Sequence, residues 1–468
     1  METLSHMILN LEAKKEITGI KVSRDAPPIS HLFFADDSLF CFRAFPDSCQ
    51  KIKDTIKFFC EISGEMINYD KSAVMFSPNT PTTFKHIMRK ILGTPSTEKL
   101  GKYLGCNVEI DGRSSQVFHQ LVEKVQRKIT SWKNLALSQA GRLLLTNGIL
   151  AALCANVLSV FLAPTLVKKK IDSILCRYWW KGSSETKGIC WRKRSLLEIP
   201  KERGGVGLRS VLRFNTALLV KYAHRIHNNN ELLISKVYNA KYKGTPVEHG
   251  ISGKQCNTAS WGFKGLVRSV AKCREGFGKV IGRGNRIAIG DDNWLPSGKP
   301  SFKSELDAAT LGTKKVEDLM IPGSRVWNSN LIWRSFDQES ARAILSTHIP
   351  TQVGEDKLLW AGTESGAATA KSVYAYLGSQ LEEGLGSTAN VMFWKKLWGM
   401  PCLPKWKVFV WKILNKALAL NANLCRRGVM VCQECHLCGK EVENESHLFR
   451  DCSVSKHIWY ATDFGIRP

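Results

Sequence analysis

The sequence is short of acidic residues, its first residues do not have the pattern expected of a secretory leader, and it contains no low-complexity tracts. Its 468 residues contain 41 Asp and Glu against 67 Lys and Arg, which gives a formal net charge of +26 at pH 7. Charged side chains are spread through residues 1–16, so these residues contain no apolar stretch of the secretory kind. A secreted, disulfide-linked protein is therefore not expected, although the chain has 15 cysteines. We expect an intracellular protein, nuclear or cytoplasmic, with free thiols.

The positive charge and the hydrophobic content limit what kind of protein this is. Hydrophobic residues make up 44% of the chain, which is too many for a disordered protein and enough for about two to four domains. A charge surplus of this size predicts attraction to polyanions, with nucleic acid first and anionic membrane second. Residues 143–167 are uncharged and long enough to cross a bilayer, but polar residues and Pro164 interrupt them. A buried helical hairpin is therefore expected there, with no membrane partner.

Two runs of apolar and aromatic residues flank an Asp-Asp pair near the amino end. Residues 31–42 read HLFFADDSLFCF, which predicts a β-hairpin with Asp36 and Asp37 at its tip. Polymerases of the two-metal type need carboxylates on a rigid element, because these acids hold the Mg²⁺ ions that stabilise the attacking and leaving oxygens. Asp36 and Asp37 are therefore candidate catalytic residues and magnesium ligands. Taken alone, an ordinary acidic turn explains the pair better.

A cluster of cysteine and histidine lies near the carboxyl end. Cys435, Cys438, His447 and Cys452 follow the pattern C-x2-C-x8-H-x4-C, which suits a closed, tetrahedral Zn²⁺ site of the structural kind. Free buried thiols are the alternative explanation. The neighbouring residues that could replace a ligand are Cys432 and, with less support, His436 and His457.

Basic residues are concentrated in two stretches of the chain. Residues 166–194 hold nine Lys or Arg against two acidic residues, and cations that neutralise phosphates dominate affinity for nucleic acid. The candidate nucleic-acid-binding residues are Lys168, Lys169, Lys170, Arg177, Arg192, Lys193 and Arg194. The tryptophans among them are more typical of a core. Residues 391–427 contain no acidic residue at all, and their aromatic residues recur at helical spacing.

A pair of glycines in the middle of the chain superficially suggests a nucleotide-binding loop. Residues 281–287 read IGRGNRI. Ile287 stands where the dinucleotide-binding fingerprint needs its third glycine, so the fingerprint fails. No dinucleotide site is predicted there.

Several short motifs occur in one order along the chain. FADD at residues 34–37 is followed by NYDKS at 68–72 and KYLG at 102–105. WK at 132–133 precedes SQAGR at 138–142, and WR at 191–192 precedes GGVGL at 204–208. Together with the terminal Cys/His pattern, this series resembles plant non-LTR (LINE-type) retrotransposon reverse transcriptases over most of the chain.

The resemblance implies an α+β, mostly helical fold and a parent activity as an RNA-directed DNA polymerase. RNA and DNA would be its template and primer, Zn²⁺ its structural metal, and Mg²⁺ its catalytic metal if the site is competent. The implied regions are a truncated reverse-transcriptase palm (1–110), a helical thumb or connection (111–228), a mixed connecting region (229–388) and a zinc-binding helical domain (389–468).

The same resemblance implies an incomplete polymerase site. The family places a third metal-binding aspartate and a template-positioning segment before the hairpin, whereas only 35 residues precede Asp36 here. We therefore expect the chain alone to be inactive or nearly so, unless an upstream polypeptide completes the palm. A non-enzymatic, zinc-containing nucleic-acid-binding protein derived from a retrotransposon is the alternative. A decaying reading frame without function is a third interpretation.

Overall fold

A computed structural model describes residues 1–98, 100–104, 106–107, 116–132, 137–182, 188–253, 256–350, 352, 354–382 and 391–462. Helices dominate these residues and the strands are short, so the predicted mostly helical α+β fold class is confirmed. Gly105, Lys133 and Lys187, which belong to the motifs and the first basic stretch, lie outside the described residues.

The elements follow one another as short helices with occasional strand pairs. The helices are α1 (Glu2–Ala13), α2 (Pro46–Ser63), α3 (Thr82–Leu92), α4 (Gln116–Ser131), α5 (Gln139–Val160), α6 (Thr165–Lys181), α7 (Arg194–Glu198), α8 (Val211–Asn228), α9 (Leu233–Tyr242), α10 (Pro246–Ile251), α11 (Trp261–Ala271), α12 (Glu305–Leu311), α13 (Ser329–Ser335), α14 (Gln338–Ser346), α15 (Ala370–Glu382), α16 (Val391–Gly399), α17 (Pro404–Leu414), α18 (Asn421–Cys425) and α19 (Ser453–Tyr460). The strands are β1 (His31–Phe34), β2 (Asp37–Phe40), β3 (Lys102–Tyr103), β4 (Cys106–Asn107), β5 (Phe277–Val280) and β6 (Lys357–Trp360). The antiparallel pairs are β1 with β2, β3 with β4, and β5 with β6.

The chain divides into two compact units, each made of three segments. The first unit consists of Met1–Val117, Asn156–Leu162 and Asn215–Leu377. The second unit consists of Phe118–Ala155, Ala163–Phe214 and Gly378–Pro468. The division into four regions that the resemblance implies stays a prediction.

The amino-terminal part of the first unit is a β-hairpin packed against helices. Pro46 begins α2, where its missing N–H would have no helical partner, and Gly64 ends that helix in the left-handed conformation at φ +74°. Phe33 and Phe40 point inward from β1 and β2, with ring centroids 5.3 Å apart. They pack on a buried core supplied by α1, α2 and the chain between α1 and β1. This packing anchors the hairpin at its base.

The rest of the first unit contains two separate hydrophobic cores. The first joins α8, α11 and α15 with Phe277 of β5 and Trp360 of β6, which lie opposite each other. The second is supplied entirely by the chain between these strands, and it runs from Ile281 to Ile344. Val280, the last residue of β5, pairs with Lys357, the first residue of β6. The chain between the two strands therefore starts and finishes at the same end of the strand pair.

The second unit has a core rich in tryptophan. Trp179 and Trp411 are fully buried, and their rings meet edge to face with centroids 5.9 Å apart. Segments that the resemblance assigns to separate thumb and zinc-binding regions share this core. The glycine-rich motif explains part of the packing, because Trp411 Nε1 donates to the carbonyl oxygen of Gly204 at 2.7 Å. A Cβ on Gly204 would lie 2.9 Å from Nε1 of Trp394, and its φ of +93° also favours glycine.

The uncharged residues 143–167 lie in α5 and at the start of α6, which begins directly after Pro164. Within the described ranges, no single helix is both long and apolar enough to span a membrane. Helix α5 bends by 42° between its two parts, Gln139–Gly148 and Leu153–Val160. Taken together, these two bent parts have the length and the composition of a membrane-spanning segment.

Candidate functional site

The Cys435–Cys438 segment forms a tight turn closed by backbone hydrogen bonds. The N–H of Cys435 donates to the carbonyl oxygen of Glu441 at 2.8 Å, and the N–H of Gly439 donates to that of Cys435 at 2.8 Å. Gly439 has φ +65°, a left-handed conformation in which glycine is favoured. The turn brings both cysteines of the C-x2-C pair to the same side.

The other two predicted ligands come from the chain that follows this turn. His447 opens a π-helix at His447–Asp451, and Cys452 directly precedes α19. The N–H of Cys452 donates to the carbonyl oxygen of His447 at 2.7 Å, which holds the two residues together. The ligand atoms of Cys435, Cys438, His447 and Cys452 all lie within 4.8 Å of one another. Three thiols and one imidazole this close suit tetrahedral Zn²⁺ with all four positions filled by protein.

The surroundings of the cluster favour a thiolate at one position. Hydrogen bonding from the backbone N–H of Lys440, with a contribution from His447, lowers the pKa of Cys438 to about 7. Thiolates, not thiols, are metal ligands. Burial instead raises the pKa of Cys435. Cys435 is 1% exposed, and a bound cation would favour its thiolate against this burial.

The carboxylate of Glu441 lies beside the imidazole of the cluster, a neighbour that the spacing alone did not predict. Its Oε2 lies 2.9 Å from Nδ1 of His447, although off line for a hydrogen bond. The other ring nitrogen, Nε2, lies 3.3 Å from Sγ of Cys438. A carboxylate behind a ligating histidine is the usual arrangement at zinc sites.

The three substitute ligands lie outside the cluster. Cys432 is exposed, and Nε2 of His436 lies 3.3 Å from Nδ2 of Asn421. His457 is exposed, and its Nδ1 lies 2.6 Å from the carbonyl oxygen of Ser453. Among the side chains that the structure describes, the four predicted residues are therefore the ones brought together.

The predicted acidic hairpin is confirmed as a structural element. Phe34 and Asp37 close it, and Ala35 and Asp36 form its two-residue loop, with Ala35 at φ +51°. Both aspartates are exposed. Tyr103, from the KYLG motif, donates its hydroxyl to the carbonyl oxygen of Leu32 at 3.3 Å. Burial, and then the charge of Asp37, raise the pKa of that tyrosine, so these two motifs lie side by side.

The structure separates the predicted nucleic-acid-binding residues by exposure. Lys168 is 2% exposed and belongs to the interior of the second unit. Lys169, Lys170 and Arg177 are exposed on α6, and so is Lys193 before α7. Arg192 is half-buried. The surface of α6, together with Lys193, is therefore the described part of this stretch that is open to a polyanion.

Arg194 belongs to an ion-pair network inside the second unit. Its Nη2 lies 2.9 Å from Oδ1 of Asp172, and its Nε lies 2.5 Å from Oε1 of Glu198. Arg213 pairs with the second oxygen of Glu198 at 3.1 Å. Burial raises the pKa of Asp172 to about 6, although the guanidinium of Arg194 opposes this shift. The guanidinium of Arg194 is therefore already engaged by two carboxylates of its own unit, and its contact with nucleic acid stays a prediction.

The IGRGNRI loop binds a carboxylate of the chain itself. Asp356 accepts hydrogen bonds at 2.7 Å from the N–H groups of Gly282 and Gly284, and at 2.8 Å from that of Arg286. A loop whose N–H groups converge is a typical anion site, and here the anion is Asp356. No local pattern indicates this partner, because it lies some 70 residues further along the chain.

Three similarities to known proteins accompany these features. The family described as zinc-binding in reverse transcriptase matches residues 369–459, which include all four clustered ligands. A candidate ribonuclease H protein of Arabidopsis thaliana is 26% identical over 354 residues, covering 74% of this chain and 56% of that protein. An uncharacterized mitochondrial protein of the same plant is 26% identical over 153 residues, covering 32% of this chain and 96% of that protein. The chain thus spans little more than half the length of the first relative.

Proposed function

Since this chain is a retroelement protein related to reverse transcriptases and carries their zinc-binding segment, we propose that it derives from the RNA-directed DNA polymerase of a non-LTR retrotransposon. We further propose that it does not synthesise DNA on its own. The order of its motifs and the acidic hairpin support the first part. The surroundings of Asp36 and Asp37 support the second.

The observation that carries this proposal is the isolation of the two hairpin aspartates. In the part of the chain that the structure describes, the one group of three or more metal-ligating side chains is the Cys/His cluster. No third ligand therefore joins Asp36 and Asp37 among these residues. Mg²⁺ bound there would stabilise charge on a reacting phosphate, but two adjacent exposed carboxylates form an incomplete site for it.

Primer extension tests this proposal directly. The purified chain is given an RNA template, a DNA primer, deoxynucleotides and Mg²⁺, beside a matched Asp36→Asn/Asp37→Asn variant. We expect no extension above the level of that variant, because the carboxylate set is incomplete. Extension that the double substitution abolishes would contradict the proposal, since a further carboxylate must then complete the site.

We assign the Cys/His cluster to a structural Zn²⁺ ion within the same proposal. Cys435, Cys438, His447 and Cys452 would fill all four positions of a tetrahedral site, so none would be left for a substrate or a water molecule. Zinc would hold the turn, the π-helix and the start of α19 together. The role of the metal is therefore to fold this segment.

A non-catalytic nucleic-acid-binding protein is the second candidate function. It is favoured by the exposed cations of α6, where Lys169, Lys170 and Arg177 have no carboxylate paired with them in the described structure. Such a protein would bind RNA or DNA through phosphate neutralisation and zinc-stabilised folding, without synthesis. Binding by a chain that fails in primer extension would favour this candidate.

A further inference from the structure

A cavity in the second unit is lined by cations from two distant parts of the chain. Its volume is about 190 Å³, and its lining residues are Trp191, Arg192, Lys416, Asn423, Arg426 and Arg427. Four of these six side chains are cationic. Arg192 belongs to the first basic stretch, whereas the other three cations belong to the acid-free stretch within the zinc-binding segment.

Two of the four cations are fixed in place by backbone carbonyl oxygens. Arg192 Nε donates to the carbonyl oxygen of Asn415. Arg427 Nη2 donates to the carbonyl oxygens of Cys190, at 3.2 Å, and Trp191, at 2.5 Å. These bonds satisfy one donor group of each guanidinium and hold the charge at the cavity wall, so a ligand would meet an arrangement that is already formed.

The other two cations have no side-chain partner among the residues that the structure describes. Neither Lys416 nor Arg426 makes a side-chain hydrogen bond or ion pair with a residue that the structure describes. Lys416 also adopts φ +50°, a left-handed conformation that is uncommon and costly for a residue other than glycine. The turn that follows α17 thus combines an uncommon backbone conformation with an ammonium group that no described side chain pairs.

The charge in the cavity is poorly compensated by the protein. Burial first, and then the charges of Arg426 and Arg427, lower the pKa of Arg192. Glu445 is the carboxylate that opposes this shift, and its Oε1 already accepts a hydrogen bond from Nδ2 of Asn423 at 2.6 Å. With four cations and one carboxylate that is already hydrogen-bonded to Asn423, the cavity keeps a net positive charge that would attract an anion.

We propose that this cavity binds one phosphate group of a nucleic-acid strand, held by Lys416 and Arg426 between the fixed guanidiniums of Arg192 and Arg427. The inference rests on the proposed function, in which the chain binds RNA or DNA, and it specifies a contact within the zinc-binding segment. Arginine is well suited to this role, because its planar donors match phosphate oxygens. Trp191 borders the same cavity, next to the nucleotide that would carry the phosphate.

The test compares two double variants that remove the same charges. Lys416→Gln/Arg426→Gln empties the cavity of its unpaired cations and leaves the wall-forming arginines in place. Arg127→Gln/Lys128→Gln removes one Arg and one Lys from the exposed face of α4 in the same unit. Binding of a fluorescent single-stranded RNA is measured by anisotropy at several KCl concentrations, and the zinc content of each protein is checked.

We expect the cavity variant to bind RNA about tenfold more weakly or worse, with a salt slope smaller by about 0.7, the value for one phosphate contact on a single strand. The α4 variant should lose less than about threefold, through long-range charge alone. Equal losses in the two variants, or no loss in the cavity variant, would overturn the inference.

A calorimetric titration with inorganic pyrophosphate separates this inference from the proposed function. If the wild-type chain binds no RNA, the nucleic-acid part of the proposed function fails. Pyrophosphate binding that the Lys416→Gln/Arg426→Gln variant loses would then keep the cavity as a phosphate site that serves a free phosphate compound. Absence of pyrophosphate binding as well would overturn the cavity inference itself.

Discussion

Cys452 is the most enclosed of the four clustered ligands, with 0% exposure. We predict that Cys452→Ser lowers zinc affinity by more than about 100-fold, because even loss of a residue behind a ligand costs about 10–100-fold at such sites. The segment around α19 should also lose stability, since zinc binding and folding are coupled. Zinc content by elemental analysis, and competition with a colorimetric chelator, would measure the change.

Cys432→Ser is the matched control for this substitution. Cys432 is exposed and lies outside the cluster, so its replacement should leave one zinc ion per chain with unchanged affinity. If Cys432→Ser instead removed zinc while Cys452→Ser kept it, the proposed ligand set would be wrong.

At the scale of single residues, spacing predicts ligands better than it predicts surfaces. Four side chains that share one metal must follow a characteristic pattern, and the structure brings all four together. Charge carries no such constraint: Lys168 and Lys169 are neighbours in the sequence, yet one is buried and the other exposed. The helical phase of α6 decides this difference, because Lys168 lies three and seven residues before the buried Ile171 and Leu175 and so shares their face of the helix. Counting basic residues along the stretch takes no account of that phase.

At the scale of elements, the GGVGL motif controls how the second unit packs. A Cβ at Gly205 would lie 1.9 Å from the carbonyl oxygen of Ile199, a backbone atom that cannot move away as a side chain could. We predict that Gly205→Ala lowers the free energy of unfolding by about 2–4 kcal/mol, as overpacking against a fixed neighbour does. Urea denaturation followed by tryptophan fluorescence would report it.

Gly399→Ala supplies the comparison within the same unit. Gly399 is the last residue of α16, and a Cβ there would meet nothing within 4 Å. Its replacement should be neutral or slightly stabilising, because alanine favours the helix. A similar loss of stability in both variants would show that contact with Ile199 is not the cause.

Sequence patterns predicted the elements that are determined by residues close together in the sequence. The alternation in HLFFADDSLFCF predicted a hairpin with its acids at the tip, and β1 and β2 confirm it. The contact of Asp356 with the glycine loop could not be predicted in this way, because it joins residues some 70 positions apart. The core that Trp179 and Trp411 share could not be predicted for the same reason, because these residues are far apart in the sequence.

At the scale of the whole molecule, the net charge of +26 should make binding to nucleic acid strongly dependent on salt. We predict that Lys169→Gln/Lys170→Gln on α6 reduces the slope of log affinity against log salt by about 0.7 for each phosphate that the variant no longer neutralises. Titrations of a single-stranded RNA between low and physiological salt would measure that slope.

The charge-preserving variant Lys169→Arg/Lys170→Arg is the control for this change. It keeps both cations and should retain the wild-type slope, because counterion release depends on charge and not on the type of side chain. If the glutamine variant also kept that slope, α6 would not be the binding surface.

The strand pair β5–β6 gives the first unit a modular construction. The chain leaves at Val280, builds a core of its own from Ile281 to Ile344, and returns at Lys357 directly opposite its point of departure. Asp356 fastens the exit of this segment to its entrance through the glycine loop. A segment inserted in this way can lengthen, shrink or be exchanged in a related protein while the surrounding strands keep their register. Variation between relatives should therefore concentrate inside residues 281–356, and the host unit should tolerate it.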